Sequence, residues 1–306
     1  LKEKNALVEF NRFLFALTVA LMHFFVFFEI EPQLFRGGFL SVEFFFVIAG
    51  YFLGASADKH LKESSFLDRQ KYVVSFAKSR LKRIYPLYLL ALLITLFSKS
   101  ILSGTGLKGM AELFKNCLAE FFMLQWTPLG NEILEGVLWY VPAFFFASLL
   151  LTVIASFFGK HLSIFGLMIC PVVSFIIYGY FFKTIGKIDI MISYYGIMRA
   201  LAGLTAGIFI FYLITLTDIK RSIVFAYAGQ IILIFIFIFE SFAHRNRVNF
   251  LIIALFIISS FLIFIGKTDF NDKTKRALVF LGSLSYPIYV FHMPLYNLLK
   301  IAFKIS

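Results

Sequence analysis

Charge is scarce in this chain. Only 15% of its 306 residues are Asp, Glu, Lys or Arg, while 60% are hydrophobic and the mean hydropathy is +0.88. A soluble globular domain carries about 25% charged residues, so the shortage excludes a water-soluble fold. Alternating polar and apolar dyads are also missing, which excludes an outer-membrane barrel. The apolar residues come instead in unbroken runs such as Gln230–Phe239 and Phe250–Ile265. In lipid every backbone polar group needs an internal partner, so such runs predict an all-α, polytopic membrane helical bundle. Cysteine is almost absent: Cys117 and Cys170 fall in separate apolar segments with no metal-like or redox-like spacing, and they read as small core residues. No internal repeat, heptad run or low-complexity linker divides the chain, so residues 1–306 read as a single membrane domain.

Apolar stretches long enough to cross about 30 Å at about 1.5 Å per residue lie near 8–28, 38–56, 84–102, 137–158, 163–182, 194–216, 222–239, 248–266 and 278–298. That predicts nine transmembrane helices. A tenth stretch, Leu113–Trp126, is short and carries Lys115, Asn116 and Glu120, which leaves it either a thin span or a segment lying in the interface. The opening Lys2, Lys4 and apolar run imitate a secretory signal. Arg12 and His23 interrupt that run and no small-x-small cleavage site follows, so it reads as a retained first span.

The formal charge is +12, from 29 basic and 17 acidic residues. In a polytopic chain such an excess reports orientation first, and no nucleic-acid partner is expected. The segment after the second span holds Lys59, Lys62, Arg69, Lys71, Lys78, Arg80, Lys82 and Arg83, eight cations in 25 residues, whereas the preceding loop has Arg36 beside Glu29 and Glu31. The positive-inside rule places the eight-cation segment, and with it the N-terminus, in the cytoplasm.

Ionisable residues inside spans are costly and are functional candidates by default. Arg12 and His23 are eleven positions apart, so they return to within roughly 20° of one another and share a helix face about 16 Å apart along the axis. Glu43 lies on the second span at a depth matching His23 across the hairpin. A carboxylate beside an imidazole fixes its tautomer and supports its protonated form, as in acyl transfer; a structural ion pair accounts for the same pairing without catalysis. At the entrance to the third span, Arg80 and Arg83 are i,i+3 neighbours whose guanidinium forks suit phosphate oxygens. A cationic segment is equally a topology signal or a contact with anionic lipid. Arg199 sits in a small-residue run, Arg199-Ala-Leu-Ala-Gly203-Leu-Thr-Ala-Gly207, whose glycines favour close helix packing. The last span carries Ser285-Tyr286-Pro-Ile-Tyr289-Val-Phe-His292, where the histidine either lines a polar track or bonds a backbone carbonyl.

Taken in order, these residues resemble the acyltransferase 3 family of bacterial integral-membrane acyltransferases, which O-acylate surface carbohydrates and other exported molecules. The resemblance rests on Arg12-x10-His23, on Ser41-Val-Glu43-Phe-Phe-Phe-Val-Ile-Ala-Gly50-Tyr, on Arg80-x-x-Arg83, on Leu138-Trp139-Tyr140 and on the Ser285-Tyr286 to His292 ending. Glu43 replaces the commoner Asp, and Ala49 the Ser before Gly50. The resemblance implies a bacterial inner-membrane enzyme that moves an acetyl or other short acyl group from cytoplasmic acyl-CoA, most simply acetyl-CoA, to a hydroxyl of a glycan or glycolipid, with no metal. His23 is then the general base or a transient acyl carrier, Glu43 its acidic partner, and Arg12, Arg80 and Arg83 the acyl-CoA ligands. Trp139, Tyr289, His292 and Arg199 are expected to line the acceptor site, since aromatic faces suit sugar rings. A transporter or ligand-sensing module using the same buried Arg, His and Glu is the rival reading.

Overall fold

The computed structural model describes residues 5–32, 34–125, 127, 132–190, 194–242 and 247–303. Of the described residues 83% are helical and none is in a strand, as the long apolar runs require. Helix α1 (Ala6–Phe27) is capped by the Asn5 side chain, which accepts from the N–H groups of Leu7 and Val8. A single 3-10 turn leads into α2 (Ser41–Leu61). Helix α3 (Phe66–Ser103) has 38 residues and is capped by Ser65, whose hydroxyl accepts from the Asp68 N–H. At about 1.5 Å per residue it is far longer than a hydrocarbon core, so its cation-rich first half projects beyond the apolar slab.

The stretch Leu113–Trp126 forms no crossing helix in its described part. Helix α4 (Gly106–Asn116) has 11 residues, none of them buried, and α5 (Leu118–Phe121) has four. Neither approaches the roughly 20 residues a crossing needs. Leu107 is 80% exposed on α4, which suits a helix lying along the interface. Glu120 on α5 is buried, and its carboxylate accepts from the N–H groups of Leu134 at 2.5 Å and Glu135 at 3.2 Å. That contact fixes the approach to Trp139.

The remaining helices are α6 (Tyr140–Phe158), α7 (Leu162–Ile164), α8 (Cys170–Tyr180), α9 (Tyr195–Leu216), α10 (Ile223–Glu240), α11 (Asn249–Ile265), α12 (Asp272–Ser283) and α13 (Ser285–Phe303). The most extensive packing joins α2 to α9. Gly50 and Gly207 make it possible: a Cβ on Gly50 would lie 2.8 Å from the Leu204 Cα, and one on Gly207 2.6 Å from the Tyr51 nitrogen. Backbones therefore meet where any side chain would hold them apart.

Six described segments are long and apolar enough to cross a bilayer, or seven if the bent α12–α13 pair is one span, rather than the nine the sequence predicts. Three features account for the difference. Residues 137–158 and 163–182 fall within one helical stretch, Gly136–Ile185. Helix α11 has only 17 residues, and the last span is bent by 40° at Leu284.

Candidate active site

A cavity of about 980 Å³ opens between α1, α2, α3, α6 and α13. Arg12 from α1 and Arg80 and Arg83 from α3 all line it. Arg12 is steadied by Glu9 one turn earlier, Nη1 to Oε2 at 2.9 Å. The Arg80 guanidinium lies over the rings of Phe76 at 4.8 Å and Phe144 at 4.5 Å, which fixes its plane by cation–π contact. Arg83 stands one turn further along α3 and is exposed. At the mouth His60 stacks on Tyr72, with 5.0 Å between ring centres, and the Tyr72 and Ser56 hydroxyls are 2.7 Å apart. The inner wall is aromatic: Tyr140, Tyr286 and Tyr289. The Tyr286 hydroxyl donates to the Ile84 carbonyl at 2.6 Å, and that of Tyr289 donates to the Val137 carbonyl.

One turn past Tyr289 on α13, with 6.0 Å between the rings, is His292. Its Nε2 lies 3.3 Å from Nδ1 of His23 on α1. Neither histidine is among the lining residues of the cavity. The sequence expectation of a polar track from Arg12 to His23 along one face of α1 thus corresponds to a cavity at the Arg12 end and a histidine pair beyond its aromatic wall.

Glu43 departs from expectation. Its depth predicts pairing with His23, yet both carboxylate oxygens go elsewhere: Arg199 Nε donates to Oε1 at 2.9 Å, and the Tyr178 hydroxyl donates to Oε2 at 2.6 Å. The physical reason is the α2–α9 contact, whose glycines carry Arg199 against Glu43. Both side chains are 0% exposed. Arg199 also donates from Nη2 to the Phe39 carbonyl at 3.3 Å and lies over the Trp139 ring at 4.8 Å. It is therefore a core ion-pair partner rather than an open acceptor contact. Trp139, Tyr289 and His292, the other expected acceptor contacts, are 5%, 6% and 4% exposed. Tyr178 carried no sequence signal, being one more aromatic in an apolar run. Tyr140, which stacks on Phe46 with 4.7 Å between ring centres, stood beside Trp139 in a motif already singled out.

The fold and this arrangement define a multi-pass helical membrane protein with a basic cavity and a histidine pair in which His292 is buried and His23 half-buried. A family profile described as an acyltransferase domain matches residues 6–306, essentially the whole chain. The chain belongs to that family, acyltransferase 3, and is thereby an acyltransferase of the integral-membrane kind. No curated protein and no solved structure matches it.

Proposed function

We propose that the protein transfers an acetyl or other short acyl group from cytoplasmic acyl-CoA to a hydroxyl of a cell-surface glycan, glycolipid or related envelope molecule. The supporting observation is that Arg12, Arg80 and Arg83 share one cavity whose inner wall, at Tyr289, is one turn from the His23–His292 pair. Three guanidinium groups suit the phosphates of a CoA nucleotide, and the aromatic wall suits an acyl-bearing arm. His23 takes the proton of the acceptor hydroxyl, and the oxygen attacks the thioester carbonyl. The new C–O bond forms as the C–S bond breaks, and the proton passes from His23 to the departing thiolate. The test is binding of acetyl-CoA to the purified protein in detergent, followed by single-turnover transfer to a native membrane fraction. Binding without transfer of label would reject the enzyme reading and favour transport or sensing.

Replacing Arg80 or Arg83 with Ala is expected to weaken acetyl-CoA binding about ten-fold or more, since hydrogen bonds to charged groups are worth about 1.5–3 kcal/mol. Calorimetric titration checks this. An unchanged affinity in the double variant would return the segment to a topology signal.

We also read the fold as nine crossings of alternating direction, with the Arg80 end in the cytoplasm. Gly159 has φ +49° and sits against the Arg69 side chain at that end. Tyr178, nineteen residues on, reaches Glu43 near the start of α2; the chain between them has turned and come back. Helices α12 and α13 together make the ninth crossing. Because Cys117 and Cys170 are buried, single cysteines at Leu107 and Lys273 report opposite faces. A membrane-impermeant maleimide is expected to label Leu107→Cys in intact cells and Lys273→Cys only after permeabilisation. Labelling of both, or of Lys273→Cys alone, in intact cells would reject this topology.

A further inference from the structure

The two histidines meet in a way that favours one placement of their protons. His23 Nδ1 lies 2.9 Å from the Val19 carbonyl, one turn back on α1, and His292 Nδ1 lies 3.2 Å from the Ile288 carbonyl, one turn back on α13. A carbonyl oxygen only accepts, so each of these contacts is a hydrogen bond when Nδ1 carries the proton. In the neutral pair His292 Nε2 is then a lone pair, and it points at His23 Nδ1 from 3.3 Å. The His23 Nδ1–H is shared between the Val19 carbonyl and the His292 ring, which leaves the lone pair of His23 on Nε2. This is the minority tautomer of a histidine side chain in water, and it is the one whose basic lone pair is on Nε2.

We propose that His292 is a positioning residue for His23, holding it as the Nδ1–H tautomer and sharing the positive charge once His23 Nε2 takes a proton. It occupies the place that a carboxylate holds in the familiar triads, but as a neutral acceptor. Glu43 is not that group, because its oxygens serve Arg199 and Tyr178. The neighbours of His292 keep its geometry firm: Tyr289 and Tyr296 flank the ring at 6.0 and 5.8 Å, and the Tyr296 hydroxyl donates to the Ala20 carbonyl at 2.8 Å. That last bond ties α13 to α1 one residue beyond Val19, at the level of the pair. The proposal rests on the reading of His23 as the base.

Two measurements test it. The chain has five histidines, few enough for nitrogen-15 spectra of ring-labelled protein in detergent, with His23 and His292 assigned by subtraction of their Asn variants. A protonated Nδ1 and an unprotonated Nε2 are expected at both rings; an Nε2–H resonance at His23 would overturn the proposal whatever the activity. The second measurement uses radiolabelled acetyl-CoA with the native membrane fraction as acceptor. His292→Leu is expected to lower kcat about 10- to 100-fold, the size of one hydrogen bond to a charged group, with KM for acetyl-CoA unchanged. His292→Gln, whose amide oxygen still accepts from His23 Nδ1, should recover most of that loss. A merely structural role would leave Leu and Gln variants equally slow and equally destabilised, and that result, or a wild-type rate in His292→Leu, would also overturn it. His23→Ala keeps the two readings apart: if it retains turnover the catalytic reading of His23 fails, whereas an inactive His23→Ala beside a fully active His292→Leu removes only the role of His292.

Discussion

His23→Ala is expected to abolish acyl transfer while acetyl-CoA still binds with near-normal affinity. Removing a general base typically slows an enzyme by about 10²–10⁴-fold, which corresponds to about 3–5 kcal/mol of transition-state stabilisation. Binding should survive because the three arginines, not His23, line the cavity proposed for the donor. Along α1 the separation from Arg12 to His23 is about 16 Å. Loss of the ring also leaves the buried His292 Nε2 without its partner at 3.3 Å, which costs about 1–3 kcal/mol for one unsatisfied acceptor. The measurement is a paired one on the same preparation: calorimetric affinity for acetyl-CoA and single-turnover transfer to a native membrane fraction. Near-normal turnover with intact affinity would show that the histidine is a packing residue between α1 and α13.

How much of this was visible beforehand depends on how local each signal is. The eleven-residue spacing of Arg12 and His23 is a property of one helix, and periodicity alone puts both on one face. The Arg80–Arg83 pair is local in the same sense. Hydropathy, by contrast, hid the first half of α3: its charged residues conceal a helix that begins at Phe66 rather than near 84. Hydropathy also says nothing of how a run of apolar residues is bent, so the break at Leu284 was out of reach. The error at Glu43 has the same origin. A depth argument compares neighbours in a hairpin, whereas the observed partner is Arg199, 156 positions away. The glycines that bring it there were legible as a close-packing pattern, but not which helix they would meet. His292 was singled out as one polar residue in an apolar span, and only the α1–α13 contact shows that it faces His23.

The pairing of Glu43 with Arg199 leads to the second large effect, and it concerns stability before chemistry. Both side chains are completely buried, and removing one member of such a pair typically costs about 3–5 kcal/mol because the other charge is left without compensation. The two single variants should not be equal. A carboxylate left alone can take a proton and keep its bond with Tyr178, whereas a guanidinium remains charged under all relevant conditions. Glu43→Ala is therefore expected to be the more destabilising, with Arg199→Ala milder and Glu43→Gln milder still, since the amide oxygen can accept from Arg199 Nε. Removing both charges at once, as Glu43→Leu with Arg199→Leu, should cost less than the two single Leu variants added together, because no unpaired charge remains. Thermal unfolding of the purified proteins in detergent measures all of these. Strict additivity would mean that the two groups do not stabilise each other. A Glu43→Gln variant that melts like wild type but loses turnover would move Glu43 from the core to the chemistry of His23.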